Sequence, residues 1–282
     1  MHAVDPSATK PGINGTNLKN NISNNHTNEN TIVSQSSNEI FDMICVGFGP
    51  ASLAIAIALH DYNKMSSSKV LFLENRPRFS WHSGMQIPSS KMQISFLKDL
   101  ATPRNPRSKF TFINYLFTKG RLNQFINLST HLPSRIEYED YLRWCASYFE
   151  AEGLVRYSMM VQSVCAGSTS AEGKVMDWEI SALDINGCEV LKRARNVVIA
   201  VGGKPKLPSQ LLGLKNVAHS SQFTNSIKNI QDQETRTKLR FAVIGSGQSA
   251  AEIFNDLWTT FPESEIKMIM KGASLRPTDD SP

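Results

Sequence analysis

Two glycine turns carry the residue types that bind phosphate groups. They are Gly47–Ser52 (GFGPAS) and Gly245–Ala250 (GSGQSA), and each follows an apolar run and opens a segment typical of a helix. The first glycine allows the tight turn, the second lets the backbone approach a pyrophosphate, and a small third residue lets the helix pack on the strand. The N–H groups at the helix start then face the phosphates. A single turn of this kind is often only a tight connection, but two in one chain predict two dinucleotide sites.

The residue that ends the second strand of each unit indicates which nucleotide binds there. An acidic residue binds the ribose hydroxyls, whereas a basic residue accommodates a 2′-phosphate. Glu74 stands 25 residues after Gly49, and Lys271 stands 24 residues after Gly247. The first site is therefore predicted to take FAD or NAD and the second NADP, and a flavin reduced by NADPH is the simplest combination. A lysine after a strand is also common on protein surfaces, and Arg276 is a second candidate for the 2′-phosphate.

The elements around these turns follow a strand–turn–helix–strand order. Ser134 precedes Glu137 by three residues, the pattern of a capping box at a helix start. Because strand–helix–strand units form parallel pairs, we predict an α/β fold with two Rossmann-like dinucleotide-binding units. The prolines at 205 and 208 place a boundary between a FAD-binding domain at 39–203 and an NADPH-binding domain at 204–282. Strands are predicted at 41–47, 69–74, 196–201, 240–245 and 265–270, and helices at 52–61, from 134 onward and at 249–258.

Composition excludes several classes of protein. Hydrophobic residues make up 40% of the 282 residues and charged ones 20%, which excludes collagen, a coiled coil and a wholly disordered chain. The four cysteines form no Cys-x-x-Cys pair, which argues against a disulfide scaffold and a zinc site. Residues 74–143 hold eleven Lys/Arg against five Asp/Glu, without a run of five basic residues. This pattern favours a small phosphate-bearing ligand over nucleic acid.

Two segments resemble targeting or membrane sequences at first sight. Residues 1–38 contain nine Asn, five Ser and four Thr, and such a composition predicts disorder. They show the pattern of neither a signal peptide nor a mitochondrial presequence. Residues 43–59 carry no charge, but this segment contains two glycines and Pro50 and is shorter than the roughly 20 residues of a membrane span. We therefore expect no membrane span and a cytoplasmic location.

Longer segments of the chain resemble a known family. The block at 81–116 is the most specific of them, because core packing does not explain so long a polar pattern. Together the segments resemble the flavin-dependent N-hydroxylating monooxygenases, most closely the L-ornithine N5-monooxygenases of fungal siderophore biosynthesis. The matching segments are DMICVGFGPASLAIAIAL at 42–59, WHSGMQIPSSKMQISFLKDLATPRNPRSKFTFINYL at 81–116, LPSRIEYEDYLRWCA at 132–146, VIGSGQSAAEIF at 243–254 and RPTDDSP at 276–282.

The resemblance implies roles for individual residues. Lys98 would bind the carboxylate of L-ornithine, and Lys271 stands where the family places an arginine on the 2′-phosphate of NADPH. Lysine keeps the charge there but loses the bidentate fork. No protein side chain would act as a nucleophile, because the flavin carries the chemistry. The FAD contacts would be Gly47, Gly49, Pro50, Ala51, Ser52, Glu74, Trp81, His82, Met92 and Gln93, and the NADPH contacts Gly245, Gly247, Gln248, Ser249 and Lys271.

The implied reaction is the FAD- and NADPH-dependent N5-hydroxylation of L-ornithine with O2 through a C4a-hydroperoxyflavin. A lysine N6-hydroxylase, another amine hydroxylase and a non-catalytic dinucleotide-binding remnant are alternatives. His82 is also compatible with a structural ring beside Trp81. Members of the family form tetramers and continue beyond the match at 276–282. We therefore expect both dinucleotide units to be incomplete in these 282 residues, and the activity of the chain alone stays open.

Overall fold

The computed structural model describes residues 39–231 and 238–275. The predictions for the tail at 1–38 and for the segment at 276–282 lie outside the described residues. The strands are β1 (Ile40–Val46), β2 (Val70–Leu73), β3 (Val155–Arg156), β4 (Met160–Ala166), β5 (Trp178–Leu183), β6 (Glu189–Ile199), β7 (Arg240–Ile244) and β8 (Glu265–Ile269). The α-helices are α1 (Pro50–Asp61), α2 (Phe112–Thr118), α3 (Leu122–Asn127), α4 (Arg135–Ala151), α5 (Phe223–Gln231) and α6 (Gln248–Thr260).

Six strands form one mixed sheet in the order β3-β2-β1-β6-β5-β4. The first four of these run parallel, and β5 and β4 continue the sheet as antiparallel strands. Cys45 of β1 lies between Phe72 of β2 and Val198 of β6. Residues of an inner parallel strand are covered on both faces, which explains why β1 and β2 are runs of apolar residues rather than alternating patterns.

Helices α1 and α4 cover one face of this sheet and share its largest core cluster. The hydroxyl oxygen of Ser134 accepts a hydrogen bond from the Glu137 amide at 3.1 Å, which confirms the predicted start of α4. Its inward face buries Tyr141, Leu142 and Cys145 completely, so the helix is fixed by apolar packing along its length.

Two further strands, β7 and β8, form a separate parallel sheet. Together with β1–α1–β2, the β7–α6–β8 unit confirms the predicted α/β class with two strand–turn–helix–strand units. Met85 and Ile87, which precede α2 in the chain, pack in one cluster with Val243 and Leu257 of this second unit. The domain division at 203/204 stays a prediction.

The antiparallel part of the large sheet was not expected from the sequence. Strands β4 and β5 carry mixed polar and apolar residues, and β6 starts at Glu189 rather than at residue 196 because it also pairs with β5. The strand predicted at 196–201 ends at Ile199, two residues earlier. Half-exposed strands give a weak local signal, since their register depends on their partners.

Candidate functional site

The first glycine turn connects β1 to α1 at the carboxyl end of the sheet. Gly47 has a φ of +95°, and a Cβ built on it would lie 2.4 Å from the carbonyl oxygen of Ala200. The buried Ser52 hydroxyl donates to the Gly47 carbonyl oxygen at 2.7 Å. Only glycine fits this backbone at position 47, because both the positive φ and the close approach of another strand end exclude a side chain.

The start of α1 leaves space and hydrogen-bond donors for an anion. Gly49 caps the helix, Pro50 occupies its first turn, and a Cβ on Gly49 would meet no atom within 4 Å. Within the described part of the chain, the amide N–H groups of Gly49, Ala51 and Ser52 have no hydrogen-bond acceptor. An open, donor-rich helix start of this kind fits the pyrophosphate of a dinucleotide.

Glu74 lies directly after β2 and beside this turn. One of its carboxylate oxygens accepts a hydrogen bond from the Phe48 amide at 2.7 Å, and the other accepts from the Arg76 amide at 2.9 Å. Each carboxylate oxygen has a second lone pair, which can accept a ribose hydroxyl. The structure therefore brings Glu74 and the first turn together, as the spacing predicted.

The segment that contains Trp81 and His82 contacts the first turns of α4. The two rings lie 4.8 Å apart, and Trp81 also faces the ring of Tyr138 of α4 at 5.8 Å. His82 adopts a φ of +45°, an uncommon backbone conformation for a non-glycine residue. Partial burial of the ring, with the positive charges of Arg135 and Arg76, lowers the pKa of His82 and favours its neutral form.

The next part of this segment carries the remaining predicted flavin and substrate residues. The Met92 amide donates to the carbonyl oxygen of Pro133 at 2.9 Å, and its side chain packs against the main core. Gln93 is exposed. Lys98 is also exposed, at the end of a 3₁₀ helix at Phe96–Lys98 that the Ser95 hydroxyl caps. Within the described residues, no hydrogen bond or ion pair joins Lys98 to the other predicted site residues.

The second glycine turn connects β7 to α6. Gly245 has a φ of +144°, and its amide donates to the carbonyl oxygen of Ile269 in β8 at 2.9 Å. Gly247 caps α6, and a Cβ on it would meet no atom within 4 Å. In residues 39–231 and 238–275, the amides of Gly247 and Ser249 have no acceptor. This helix start also fits a pyrophosphate, and the exposed Lys271 follows β8.

A partly buried ion pair at the second turn was not predicted from the sequence. Arg135 donates to both carboxylate oxygens of Glu252, at 2.9 and 3.0 Å, and the Gln248 side-chain amide donates to the same carboxylate at 2.7 Å. Gln248 is therefore held along the first turn of α6. Arg135 and Glu252 are 117 residues apart, so no local pattern connects them.

The thiols and acidic groups show no metal-site arrangement in the part of the chain that is described. No cluster of three or more His, Cys, Asp or Glu residues there could hold a metal ion, and all four cysteines are free. Burial raises the pKa of the Cys45 thiol, beside the first turn, to about 11, so this thiol stays protonated at neutral pH. Among the described helices, none is long and apolar enough to cross a membrane.

The chain is similar in sequence and in structure to several ornithine-hydroxylating enzymes. The chain is 48% identical over 259 residues to an L-ornithine N(5)-monooxygenase of Emericella nidulans, and the match covers 88% of this chain and 51% of that protein. The solved structure of the ornithine hydroxylase PvdA from Pseudomonas aeruginosa superposes with a TM-score of 0.77 at 38% identity and covers 86% of this chain and 58% of that one. The ornithine N-hydroxylase KtzI of Kutzneria sp. 744, solved with reduced FAD, NADP+ and L-ornithine, gives a TM-score of 0.75 at 36% identity, with coverage of 86% and 56%.

The family assignment follows from a match over nearly all of the described residues. The model of the L-lysine 6-monooxygenase/L-ornithine 5-monooxygenase family matches residues 39–282. The chain spans about half the length of the curated relatives it matches. The glycine turns, the placement of Glu74 and these matches agree, and the chain belongs to the L-lysine 6-monooxygenase/L-ornithine 5-monooxygenase family.

Proposed function

We propose that this chain forms the FAD-binding and NADPH-binding parts of an L-ornithine N5-monooxygenase of siderophore biosynthesis. The observation that carries the proposal is the pair of glycine turns, each with an open helix start and unpaired amide donors within the described residues. Relatives and solved structures named for ornithine hydroxylation support ornithine as the substrate.

The first turn would hold FAD. Gly47, Gly49, Pro50, Ala51 and Ser52 would surround the pyrophosphate, and the amides at the start of α1 would donate to it. The carboxylate of Glu74 would accept hydrogen bonds from the adenosine ribose while it continues to bind the Phe48 amide. When bound and reduced by NADPH, the flavin supplies the activation of O2 that the hydroxylation requires.

The second turn would hold NADPH. The start of α6 at Gly245, Gly247, Gln248 and Ser249 would bind its pyrophosphate. The exposed Lys271 would pair with the 2′-phosphate as a point charge, since an ammonium group lacks the bidentate geometry of a guanidinium.

The segment from Trp81 to Lys98 would form one side of the substrate site. Trp81, His82, Met92 and Gln93 would lie against the flavin, and the neutral ring of His82 would add no positive charge there. The Lys98 ammonium group would bind the ornithine carboxylate. Its positive charge would also disfavour protonation of the side-chain amine, which must be neutral to react.

We also infer the properties of the whole enzyme that the family resemblance implies. These are O2 as the second substrate, a homotetramer and a cytoplasmic location. The boundary between the two nucleotide-binding domains would lie at 203/204.

A flavin spectrum of the purified 282-residue chain tests the proposal. We expect added FAD to be retained with a protein-bound absorption spectrum, and NADPH to bleach it. Failure to retain FAD, or a bound flavin that NADPH does not reduce, would contradict the proposed function of this chain.

A substrate comparison separates ornithine from the alternatives. We expect ornithine, but not lysine, to give an N-hydroxylated product detected by mass spectrometry. Lys98→Ala should raise the KM for ornithine about tenfold or more, as expected for loss of a charged hydrogen bond. Lys91→Ala, another exposed lysine of the same segment, should not change KM. A preference for lysine would favour the lysine N6-hydroxylase.

A further inference from the structure

A partly buried ion pair connects α4 to α6 beside the second glycine turn. The Arg135 and Glu252 side chains are only 13% and 14% exposed, and both guanidinium nitrogens contact the carboxylate. Two hydrogen bonds between one guanidinium and one carboxylate hold their partners in a fixed geometry, so the pair constrains the positions of both helices.

The Glu252 carboxylate also fixes the first residue of α6. Gln248 lies four residues before Glu252, one helical turn away, and its side-chain amide donates to the carboxylate at 2.7 Å. The carboxylate thus accepts three side-chain hydrogen bonds, two from Arg135 and one from Gln248. Arg135 holds the Glu252 carboxylate in place, and this carboxylate in turn binds the side-chain amide of Gln248. The Gln248 side chain therefore has one preferred orientation beside the turn.

The other end of the pair is anchored to the segment that follows His82. Arg135 donates through its guanidinium to the Met85 carbonyl oxygen at 3.2 Å, and its backbone amide donates to the Ser90 carbonyl oxygen at 3.0 Å. A Cβ on Gly84 would lie 1.8 Å from the carbonyl oxygen of Ser221, so this segment is closely packed against the chain before α5. The position of Glu252 therefore depends on the segment that faces the proposed flavin site.

We propose that Arg135 and Glu252 are positioning residues that orient Gln248 for NADPH binding at the second glycine turn. The proposal rests on the proposed function, in which Gln248 contacts the nucleotide. Arg135 and Glu252 would thus contribute to nucleotide affinity although they lie outside the glycine turn.

A simple charge effect makes the opposite prediction, which makes the proposal testable. Glu252 lies within the first two turns of α6. Neutralising it removes a negative charge near the proposed phosphate site and leaves the positive charge of Arg135 uncompensated. If charge alone mattered, Glu252→Gln would strengthen the binding of an anionic nucleotide. If the pair orients Gln248, the same substitution weakens binding.

The experiment is isothermal titration calorimetry of NADP+ with the FAD-loaded 282-residue chain. We expect Glu252→Gln and Gln248→Ala each to weaken NADP+ binding by about tenfold, the effect of losing one hydrogen bond to a charged group. The double variant should be no weaker than either single one, because both remove the same interaction. Arg135→Lys, which keeps the charge but loses the fork, should also weaken binding.

Asp177→Asn provides the matched control. Asp177 forms a bidentate pair with Arg193 in the antiparallel part of the large sheet, at 2.8 Å. Its substitution is expected to lower the thermal unfolding temperature without changing NADP+ affinity. Flavin content and unfolding temperature are measured for every variant. If Glu252→Gln does not fold, Arg135→Lys still tests the positioning role, and unchanged NADP+ affinity in that variant would overturn it.

The outcomes separate this proposal from the proposed function. If the unsubstituted chain binds FAD but no NADP+, the assignment of the second turn fails and the positioning role fails with it. If the unsubstituted chain binds NADP+ and Glu252→Gln binds equally well or better, only the positioning role is overturned. Additive losses in the double variant would likewise show that Glu252 does not act through Gln248.

Discussion

The first glycine turn lies at the end of an inner strand, whereas the second lies at the end of a two-stranded sheet. β1 has parallel neighbours on both sides, and Ile44 and Cys45 are fully buried. In the second unit, Ile244 and Ile269, the last residues of β7 and β8, are 59% and 52% exposed. The same sequence pattern therefore stands in two different environments.

The two turns are consequently held by different kinds of contact. The first is fixed by Ser52 and Glu74 of its own strand–helix–strand unit, and by the close approach of Ala200 at the end of the neighbouring strand β6. The second has the Gly245 amide bound to Ile269 of its own unit, and an ion pair to α4 adds a contact through Glu252 and Gln248. This difference teaches that a glycine motif specifies where a phosphate can bind, while the neighbouring elements decide how firmly its geometry is set.

The largest effect should come from a side chain at Gly47. Gly47→Ala places a methyl group 2.4 Å from the Ala200 carbonyl oxygen at a φ of +95°. We expect a loss of about 3 kcal/mol or more in the free energy of unfolding, from backbone strain and overpacking together. Urea denaturation measures this loss.

Gly49→Ala is the matched control for this substitution. Gly49 has an ordinary φ of −92° and open space around its Cβ position. The free energy of unfolding should change by less than about 0.5 kcal/mol, while FAD affinity falls because the methyl group occupies the phosphate space. Equal destabilisation by both substitutions would contradict the described geometry.

The next largest effect concerns the carboxylate that joins β2 to the turn. Glu74→Gln replaces one acceptor oxygen with an amide group that faces a backbone N–H. We expect a loss of about 1.5–3 kcal/mol in the free energy of unfolding and weaker FAD binding. Glu39→Gln, which removes an exposed ion pair with Lys69, should cost less than about 1 kcal/mol.

A smaller effect is expected from the hydroxyl that bridges the first turn. Ser52→Ala makes this position resemble Ala250 of the second turn and removes the hydrogen bond to Gly47. The expected loss is about 1 kcal/mol in chemical denaturation, the usual contribution of one buried hydrogen bond. The exposed Ser66→Ala serves as control, and an equal loss in both variants would argue against the bridge.

This contrast also explains which parts of the molecule could be predicted from the sequence. The strand predicted at 41–47 is observed at Ile40–Val46, and the helix predicted at 52–61 is observed at Pro50–Asp61, because apolar runs and glycines are local signals. Strands β4 and β5 were missed, since their partly exposed faces carry no clear alternation.

The contact between Arg135 and Glu252 could not be predicted for a different reason. Its members are 117 residues apart on two different helices, and neither belongs to a glycine turn, although both lie in segments that resemble the family. In the sequence, Arg135 looks like an ordinary first-turn residue after the Ser134 cap. Glu252 looks like any other polar residue of a helix. Contacts of this kind arise from packing between elements, which a single sequence does not encode locally.

The smallest effect is expected from the titration of His82. It tests whether the charge of Arg135, in the ion pair at the second turn, acts on the segment that contains His82. Its pKa is lowered by partial burial and by the charges of Arg135 and Arg76. Between this lowered value and the unfolded value of about 6.5, the unfolded chain binds more protons. Stability should therefore rise with pH through this window and fall as the pH drops below about 6.5, by less than about 1 kcal/mol because solvent screens a partly exposed ring.

NMR titration of the His82 ring resolves the contribution of Arg135. Arg135→Gln removes one of the two positive charges, so the pKa of His82 should rise toward its usual range, and the pH dependence of stability should become shallower. Arg193→Gln, which breaks an ion pair in the antiparallel part of the sheet, should leave the His82 titration unchanged. An unchanged titration in Arg135→Gln would mean that burial and Arg76, without Arg135, set the pKa of His82. The ion pair at the second turn would then act on the segment proposed to face the flavin only through packing and hydrogen bonds.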